Sequence, residues 1–221
     1  ARRSRPSVAK RRDEAGEDFR PTDEREEDMG ENPVKRLWGI GQSIWYDNIT
    51  RAMIQSGELK RLIEEVGITG VTSNPTIFQK AISGSKDYDP AIRELVRQGI
   101  QDAKEIFLRL AMDDVSRAAD LLRPVYQRSQ GMDGFVSIEV SPDLADDSEG
   151  TVAEARRIFS AIGKKNILIK VPGTKAGLPA IEELIDEGVN VNVTLLFSIA
   201  RYEEIAEAYI RGLERRAKAG K

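Results

Sequence analysis

Short apolar segments alternate with helical segments along most of this 221-residue chain, and this alternation is the feature that most restricts its fold. Strands that are separated by helices pair in parallel and are joined by right-handed crossovers. We therefore expect an α/β protein with a parallel sheet. The five predicted strands are Ser43–Asn48, Ile68–Ser73, Gly134–Ser141, Ile167–Val171 and Val189–Leu196.

The segments between these strands carry helix signals. Thr50 is a suitable N-cap for a predicted helix over Thr50–Val66, whose apolar residues recur at helical spacing, and Gly67 ends it. After the second strand, a longer insertion is predicted to hold several helices. The other predicted helices are Asp89–Gln98, Asp102–Ala111, Asp113–Tyr126, Thr151–Ile162, Ala176–Glu187 and Ser198–Lys218.

Two architectures fit this alternation: a doubly wound sheet and a (β/α)8 barrel. The dinucleotide and P-loop glycine motifs do not follow a strand here. Instead, every strand carries polar residues towards its carboxyl end, which is where a barrel builds its active site. The sequence therefore favours a TIM barrel with about five βα units present. The polar residues are Asp47, Thr72, Asn74, Glu139, Lys170, Asn192 and Thr194.

Lys170 is the unusual member of this set, because it interrupts the aliphatic strand Ile167–Val171. In one interpretation it lies at a strand edge and its ammonium group reaches water. In the other, burial disfavours the charged form, and the neutral amine attacks a carbonyl to form a Schiff base. Residues two apart on a strand share a face, so the polar residues of the five strands are predicted to converge with Lys170 at one mouth. This convergence favours the second interpretation.

A Schiff-base reaction needs proton transfers, and composition limits which residues can perform them. The chain has no histidine and no cysteine, which excludes disulfides, thiolate sites and histidine-dependent catalysis. Glu139 and Asp47 are the carboxylates placed to transfer protons, although either could simply form a core ion pair with Lys170. Asn74, Asn192 and Thr194 could hold substrate hydroxyls or a water, or could cap helices and loops.

The charge and hydropathy of the chain give little sign of a polymeric or membrane partner. The formal net charge is −3, which gives no reason to expect binding to nucleic acid or to an anionic membrane. No run of 18 apolar residues occurs, so we expect no membrane-spanning helix.

Residues 1–32 differ from the rest of the chain. The first twelve residues carry six basic residues and no acid, and residues 13–31 carry ten acids and two arginines. Such a segment buries too little apolar surface to offset its ordering entropy, so we expect a disordered charged extension. A transit peptide fits poorly because of the acids. Met29 is a candidate for the true start, and the barrel domain is predicted over residues 33–221.

Five motifs in the strand regions resemble those of the transaldolase family, in the family's order. They are GQSIWYDNI (41–49), GVTSNPTIF (70–78), VSIEVSP (136–142), IKVPGT (169–174) and NVTLLFS (192–198). The motif sequences are most similar to those of the longer bacterial branch of the family, which includes fusions to a phosphoglucose isomerase domain. The resemblance covers residues 33–221 and implies a (β/α)8 barrel of the class I aldolase type.

The resemblance also implies roles for individual residues. Lys170 matches the Schiff-base lysine, Glu139 the acid/base that works through a water, and Thr194 a residue that holds that water. Asp47 matches the residue that moves the hydroxyl proton during carbon–carbon cleavage. The substrate-binding candidates are Asn74, Asn192, Thr194 and Thr72.

The implied reaction transfers a dihydroxyacetone unit from a ketose phosphate, such as fructose 6-phosphate or sedoheptulose 7-phosphate, to an aldose phosphate. It belongs to the non-oxidative pentose phosphate pathway, needs no cofactor or metal, and is expected in the cytoplasm, with a homodimer as a candidate assembly.

Two departures from the family pattern bear on function. Gly173 stands where alanine is common, and only five strands are present where a closed barrel needs eight. The later strands would carry the phosphate-binding residues, so we expect a truncated chain with little transferase activity. Two alternatives stay open: a fructose-6-phosphate aldolase, which uses a tyrosine in the acid/base role, and an inactive barrel fragment.

Overall fold

The computed structural model describes residues 32–221, which form an α/β structure around a five-stranded parallel sheet. The strand order is β1-β2-β3-β4-β5, and all four pairings are parallel. A doubly wound sheet reverses its strand order at a switch point, whereas a barrel adds each strand beside the last. The order therefore confirms five consecutive units of a barrel. The strands are β1 (Trp45–Tyr46), β2 (Gly70–Val71), β3 (Val136–Glu139), β4 (Ile167–Pro172) and β5 (Val191–Thr194).

Helices flank and connect these strands. Asn32 caps the first helix, because its side chain accepts hydrogen bonds from the amides of Val34 and Lys35. The helices are α1 (Pro33–Gly39), α2 (Arg51–Gln55), α3 (Glu58–Arg61), α4 (Pro75–Gly84), α5 (Asp89–Arg97), α6 (Ala103–Arg128), α7 (Ser148–Ile162), α8 (Gly177–Glu187) and α9 (Ile199–Lys218). A π-helical turn covers Leu62–Val66, and short 3-10 turns cover Lys86–Tyr88 and Pro142–Leu144.

All five strands lie where the sequence predicts them, but each except β4 is shorter than predicted. The predicted helix over Thr50–Val66 is wrong in its continuity, because Gly57 adopts a left-handed φ of 81° and separates α2 from α3. The predicted break between Asp102–Ala111 and Asp113–Tyr126 is also wrong. These two segments form the single helix α6, since Asp114 is buried on it and bonded to other elements.

One face of the sheet is apolar and covered by helices. Along β3 and β4, the side chains of Val136, Ile138, Ile167 and Ile169 are fully or nearly fully buried in the main core, with α6, α7 and α8 packed nearby. The alternate residues, which include Ser137, Glu139, Leu168 and Lys170, point to the opposite face. This second face is the inner face of the barrel, and it carries the predicted polar residues.

The sheet begins with β1 and ends with β5 in the described part of the chain, so both are edge strands there. Every residue of β5 is half-buried, unlike the fully buried outward residues of β4. The predicted charged extension lies outside the described residues apart from Asn32. Within residues 32–221, none of the helices has the length and apolar character needed to cross a membrane.

Candidate active site

Lys170 lies near the carboxyl end of β4 with its amine inside the structure. Its Nζ donates a hydrogen bond to the main-chain oxygen of Ser73 at 2.8 Å and lies 3.4 Å from Oε2 of Glu139. The Lys170 side chain is only 12% exposed and that of Glu139 is 18% exposed. The amine is therefore held between a carbonyl and a carboxylate and does not extend into water.

The meeting of Lys170 and Glu139 follows from strand register. Glu139 pairs with Lys170 across β3 and β4, so both side chains leave the sheet at the same level and on the same face. Two residues beyond Glu139, the amide of Ser141 donates to Oε2 of Glu154 on α7. This contact anchors the end of β3 and hence the backbone that carries Glu139.

Asn192 and Thr194 extend the same face onto β5. Asn192 pairs with Lys170 in the register of β4 and β5, and its Nδ2 donates to Oγ of the buried Ser137 at 3.0 Å. Thr194 pairs with Pro172. Its Oγ1 is buried and has no hydrogen-bond partner among the described residues.

Asp47, Thr72 and Asn74 lie on the other side of the mouth. Because Tyr46 pairs with Val71, the next residues, Asp47 and Thr72, are neighbours on the inner face. Asp47 is exposed, Thr72 is half-buried, and neither is hydrogen-bonded to Lys170 in the described part of the chain. Oδ1 of Asn74 accepts from the amide of Ile77 at 3.0 Å and caps α4, as the alternative interpretation of Asn74 predicted.

Ser73 is a residue of the site that sequence reasoning missed. It is fully buried, its carbonyl accepts from Lys170, and its Oγ donates to the main-chain oxygen of Ser137 at 2.8 Å. The acceptor is a main-chain oxygen, which every residue type has, so the sequence pattern could not single out Ser73. The alternation along β2 drew attention to Thr72 and Asn74, whose side chains point to the other face from that of Ser73.

A buried polar cluster supports the loop that carries Asp47. Nε of Arg51 binds Oδ1 of Asp114 at 2.9 Å, and the hydroxyl of Tyr88 donates to Oδ2 of Asp114 at 2.9 Å. The Tyr88 hydroxyl also accepts the amide of Arg51 at 3.0 Å, which ties down the start of α2. Burial raises the pKa of the Asp114 carboxyl and of the Tyr88 hydroxyl, although Arg51 opposes both shifts.

Metal binding has no evident location in the described part of the chain. No group of three or more aspartates or glutamates there is arranged to hold a metal ion.

Comparison with known proteins identifies the family. The model of the Transaldolase/Fructose-6-phosphate aldolase family matches residues 44–219, which include all the site residues described above. The chain belongs to this family. The match confirms the resemblance of the five strand motifs.

Curated relatives of this family are similar over most of the chain. Transaldolase 2 of Nostoc punctiforme is 53% identical over 193 residues, which is 87% of this chain and 50% of that protein. A transaldolase of Trichodesmium erythraeum is 49% identical over 195 residues, with 87% and 50% covered. A transaldolase of Thiobacillus denitrificans is 47% identical over 189 residues, with 86% and 52% covered. The chain thus spans about half the length of these relatives.

Proposed function

We propose that this chain carries the Schiff-base half of a transaldolase, which transfers a dihydroxyacetone unit from a ketose phosphate to an aldose phosphate. The observation that carries the proposal is the placement of the Lys170 amine, 2.8 Å from the Ser73 carbonyl oxygen and 3.4 Å from the Glu139 carboxylate. The family match and the names of the relatives support the same reaction.

The first chemical stage forms the iminium. The neutral amine of Lys170 attacks the ketone carbon of the donor and gives a carbinolamine, which loses its oxygen as water. Glu139 is the acid and base for these proton transfers, because its carboxylate is the titratable group next to the amine. The family resemblance assigns to Thr194 the water through which Glu139 acts, and Oγ1 of Thr194 makes no hydrogen bond among the described residues that would compete with this role.

The second stage breaks and remakes a carbon–carbon bond. Asp47 takes the proton of the donor's C4 hydroxyl, and the C3–C4 bonding electrons move into the iminium to leave an enamine on Lys170. The aldose phosphate product departs. The enamine then adds to the aldehyde carbon of the acceptor, and hydrolysis of the new iminium releases the ketose phosphate and restores the amine.

Asn74, Asn192 and Thr72 are proposed to bind the hydroxyls of the three-carbon unit. Thr72 and Asn74 follow β2 on the inner face, and Asn192 lies within β5 at the level of Lys170. Fructose 6-phosphate and sedoheptulose 7-phosphate are the proposed donors. The proposed reaction belongs to the non-oxidative pentose phosphate pathway and uses no cofactor. The cytoplasm is the proposed location of the protein, and a homodimer is its proposed assembly.

The decisive experiment traps the iminium. The purified chain is incubated with fructose 6-phosphate and borohydride, and the modified residue is located by peptide mass spectrometry. We expect an adduct on Lys170 that is lost in Lys170→Ala and retained in Lys175→Ala, because Lys175 is exposed and lies beyond the strand. Adducts spread equally over surface lysines would refute the proposal and favour an inactive barrel fragment.

A second candidate function is aldol cleavage that releases dihydroxyacetone to water, since the family description also names fructose-6-phosphate aldolase. A glutamate beside the lysine favours transfer, because fructose-6-phosphate aldolases are expected to use a tyrosine, not a glutamate, as the acid/base residue. Release of dihydroxyacetone in the absence of any aldose acceptor would distinguish the two functions.

A further inference from the structure

The buried cluster of Arg51, Tyr88 and Asp114 has no direct part in the proposed reaction. Arg51 is 4% exposed, and both Tyr88 and Asp114 are fully buried. Arg51 binds Asp114 through Nε and Asp113 through Nη2, both at 2.9 Å. Its guanidinium group also lies over the Tyr88 ring, 4.6 Å from the ring centre. Three parts of the chain therefore meet at one arginine: the start of α2, the 3-10 turn before α5 and the middle of α6.

This cluster is suited to fixing a geometry more than to adding stability. Removing charges from water offsets much of their mutual attraction, so a buried ion pair is often no more stabilising than apolar side chains of the same volume. Its hydrogen bonds are directional, however, and hold the elements that they join in one arrangement. The segment that this arrangement fixes most directly is the loop before Arg51.

That loop covers residues 47–50 and connects β1 to α2, and it is held at both ends. At the end next to β1, the amide of Thr72 donates to the carbonyl of Tyr46 at 2.9 Å. At the other end, the amide of Arg51 donates to the hydroxyl of Tyr88 at 3.0 Å. The cluster therefore fixes the main chain where the loop enters α2.

Asp47 depends on this loop for its position. It is exposed, and its carboxylate makes no hydrogen bond or ion pair with another residue in the described part of the chain. Ile49, two residues later, is only 1% exposed and attaches the loop to the core. Since no side-chain contact holds the carboxylate, the course of the loop backbone determines where it lies.

We propose that Arg51, Tyr88 and Asp114 are positioning residues for the carbon–carbon step. By holding the loop, they place Asp47 where it takes the proton of the donor's C4 hydroxyl as the C3–C4 bond breaks and its electrons move into the iminium. The inference rests on the proposed function, because that function gives Asp47 this role.

The cluster should leave the earlier Schiff-base step unaffected. Lys170 and Glu139 are held by each other, by the register of β3 and β4 and by the carbonyl of Ser73. Neither makes a hydrogen bond to the cluster in residues 32–221. A change in the cluster should therefore slow cleavage of the donor while the iminium still forms.

The test is reductive trapping with fructose 6-phosphate and borohydride, read by the mass of the adduct on Lys170. Reduction of the iminium before cleavage leaves a six-carbon adduct. After cleavage, the enamine regains a proton, and reduction of the resulting iminium leaves a three-carbon adduct. The three-carbon share of the Lys170 adduct at early times thus measures the carbon–carbon step separately from Schiff-base formation. Asp47→Asn gives the lower limit of this share.

Tyr88→Phe is the test variant, because it removes the hydroxyl that accepts the Arg51 amide. Ser129→Ala is the matched control. It removes the hydroxyl that accepts the Asp133 amide at 3.0 Å, in the turn after α6, and so also leaves one buried main-chain amide without its acceptor. Circular dichroism establishes that both variants are folded under the trapping conditions.

We expect Tyr88→Phe to lower the three-carbon share roughly tenfold, since a small displacement of a reacting group has a large effect on rate. The total adduct should stay within about twofold of the wild type, and Ser129→Ala should change neither quantity. Arg51→Lys should lower the share in the same direction, because a lysine keeps the charge but cannot bind both aspartates through a planar fork.

Equal three-carbon shares in Tyr88→Phe and Ser129→Ala would overturn the inference and leave the proposed function intact. A loss of total adduct in Tyr88→Phe with an unchanged three-carbon share would also overturn it, because the cluster would then support the whole site equally. A wild-type chain that yields only the six-carbon adduct would show that Asp47 is not held in a working position. Absence of any Lys170 adduct in the wild type would refute the proposed function and the inference with it.

Discussion

Nζ of Lys170 donates to the main-chain oxygen of Ser73 at 2.8 Å, which joins β4 to the segment that follows β2, two strands away in the sheet. Ser73 is itself fixed, because its Oγ donates to the carbonyl of Ser137 on the intervening strand β3. Three strands therefore meet at the amine. The position of the amine relative to Glu139 depends on this connection as well as on strand register.

The first prediction concerns this connection. Ser73→Ala removes the hydrogen bond to the Ser137 carbonyl and loosens the carbonyl that orients Lys170. We expect reductive trapping of dihydroxyacetone on Lys170 to slow by roughly 3- to 10-fold, which corresponds to the net value of one hydrogen bond. Ser129→Ala is the control, since Ser129 is also buried and hydrogen-bonded but lies in the turn after α6. Equal rates in the two variants would show that Ser73 does not orient the amine.

The second prediction concerns the buried cluster of Arg51, Tyr88 and Asp114. Tyr88→Phe removes the hydroxyl that accepts from the Arg51 amide and donates to Asp114. The buried groups left without a partner should lower the free energy of unfolding by about 1–3 kcal/mol, measured by urea denaturation. Tyr202→Phe, at a side chain that is 61% exposed, should change it by less than about 0.5 kcal/mol. A similar loss in both variants would contradict this.

The sequence contains enough information to place the strands and the central pair of the site. Parallel pairing and the two-residue period of a strand were sufficient to predict that Lys170 and Glu139 share a face, because the two residues lie on neighbouring strands. The course of α6 could not be predicted in this way. Asp113 and Asp114 form an ordinary helix boundary in a local pattern, and only the distant Arg51 explains why Asp114 is buried in mid-helix.

The contribution of Ser73 was equally hidden from the sequence. Its carbonyl has no residue signature, and its side chain points away from the inner face. The catalytic and binding roles of all the predicted site residues remain predictions, because they depend on a bound sugar phosphate; these residues are Lys170, Glu139, Asp47, Thr72, Asn74, Asn192 and Thr194. Their positions on one edge of the sheet follow from the carboxyl-end rule for parallel strands.

The third prediction concerns the contact between α8 and α9 and its dependence on pH. Hydrogen bonds from Arg211 and then Arg215 lower the pKa of Glu182. A carboxyl with a lowered folded-state pKa stabilises the fold above its unfolded value of about 4.3, and this stability is lost as the pH falls through the folded value. The wild-type chain should therefore be more stable than Glu182→Gln at pH 7, with the difference vanishing in strong acid.

Urea denaturation at a series of pH values measures this difference. Glu203→Gln is the control, because Glu203 is an exposed glutamate on α9. A pH-independent difference between the wild type and Glu182→Gln would show that the ion pair does not contribute.

The fourth prediction concerns Gly173, which follows β4. Its amide donates to the carbonyl of Thr194 at 2.7 Å, and a Cβ added there would lie 2.9 Å from that same oxygen and 2.9 Å from Cδ1 of Ile205. Gly173→Ala should therefore displace β5 or α9 and lower the free energy of unfolding by about 1–3 kcal/mol. Gly84→Ala is the control, since a Cβ at Gly84 meets no atom within 4 Å. Unchanged stability of Gly173→Ala in urea would contradict the close approach.

The fifth prediction separates covalent chemistry from turnover. The chain holds the lysine, the glutamate and the aspartate, but residues 32–221 form five strands, whereas a closed barrel has eight. The chain also spans half the length of its relatives. We expect it to form the Lys170 adduct with dihydroxyacetone while transferring little or no three-carbon unit from fructose 6-phosphate to erythrose 4-phosphate. A coupled assay for the aldose phosphate product, with the full-length Nostoc punctiforme relative as the positive control, measures the transfer. Turnover at the rate of that relative would show that five strands are sufficient to bind the phosphorylated substrates.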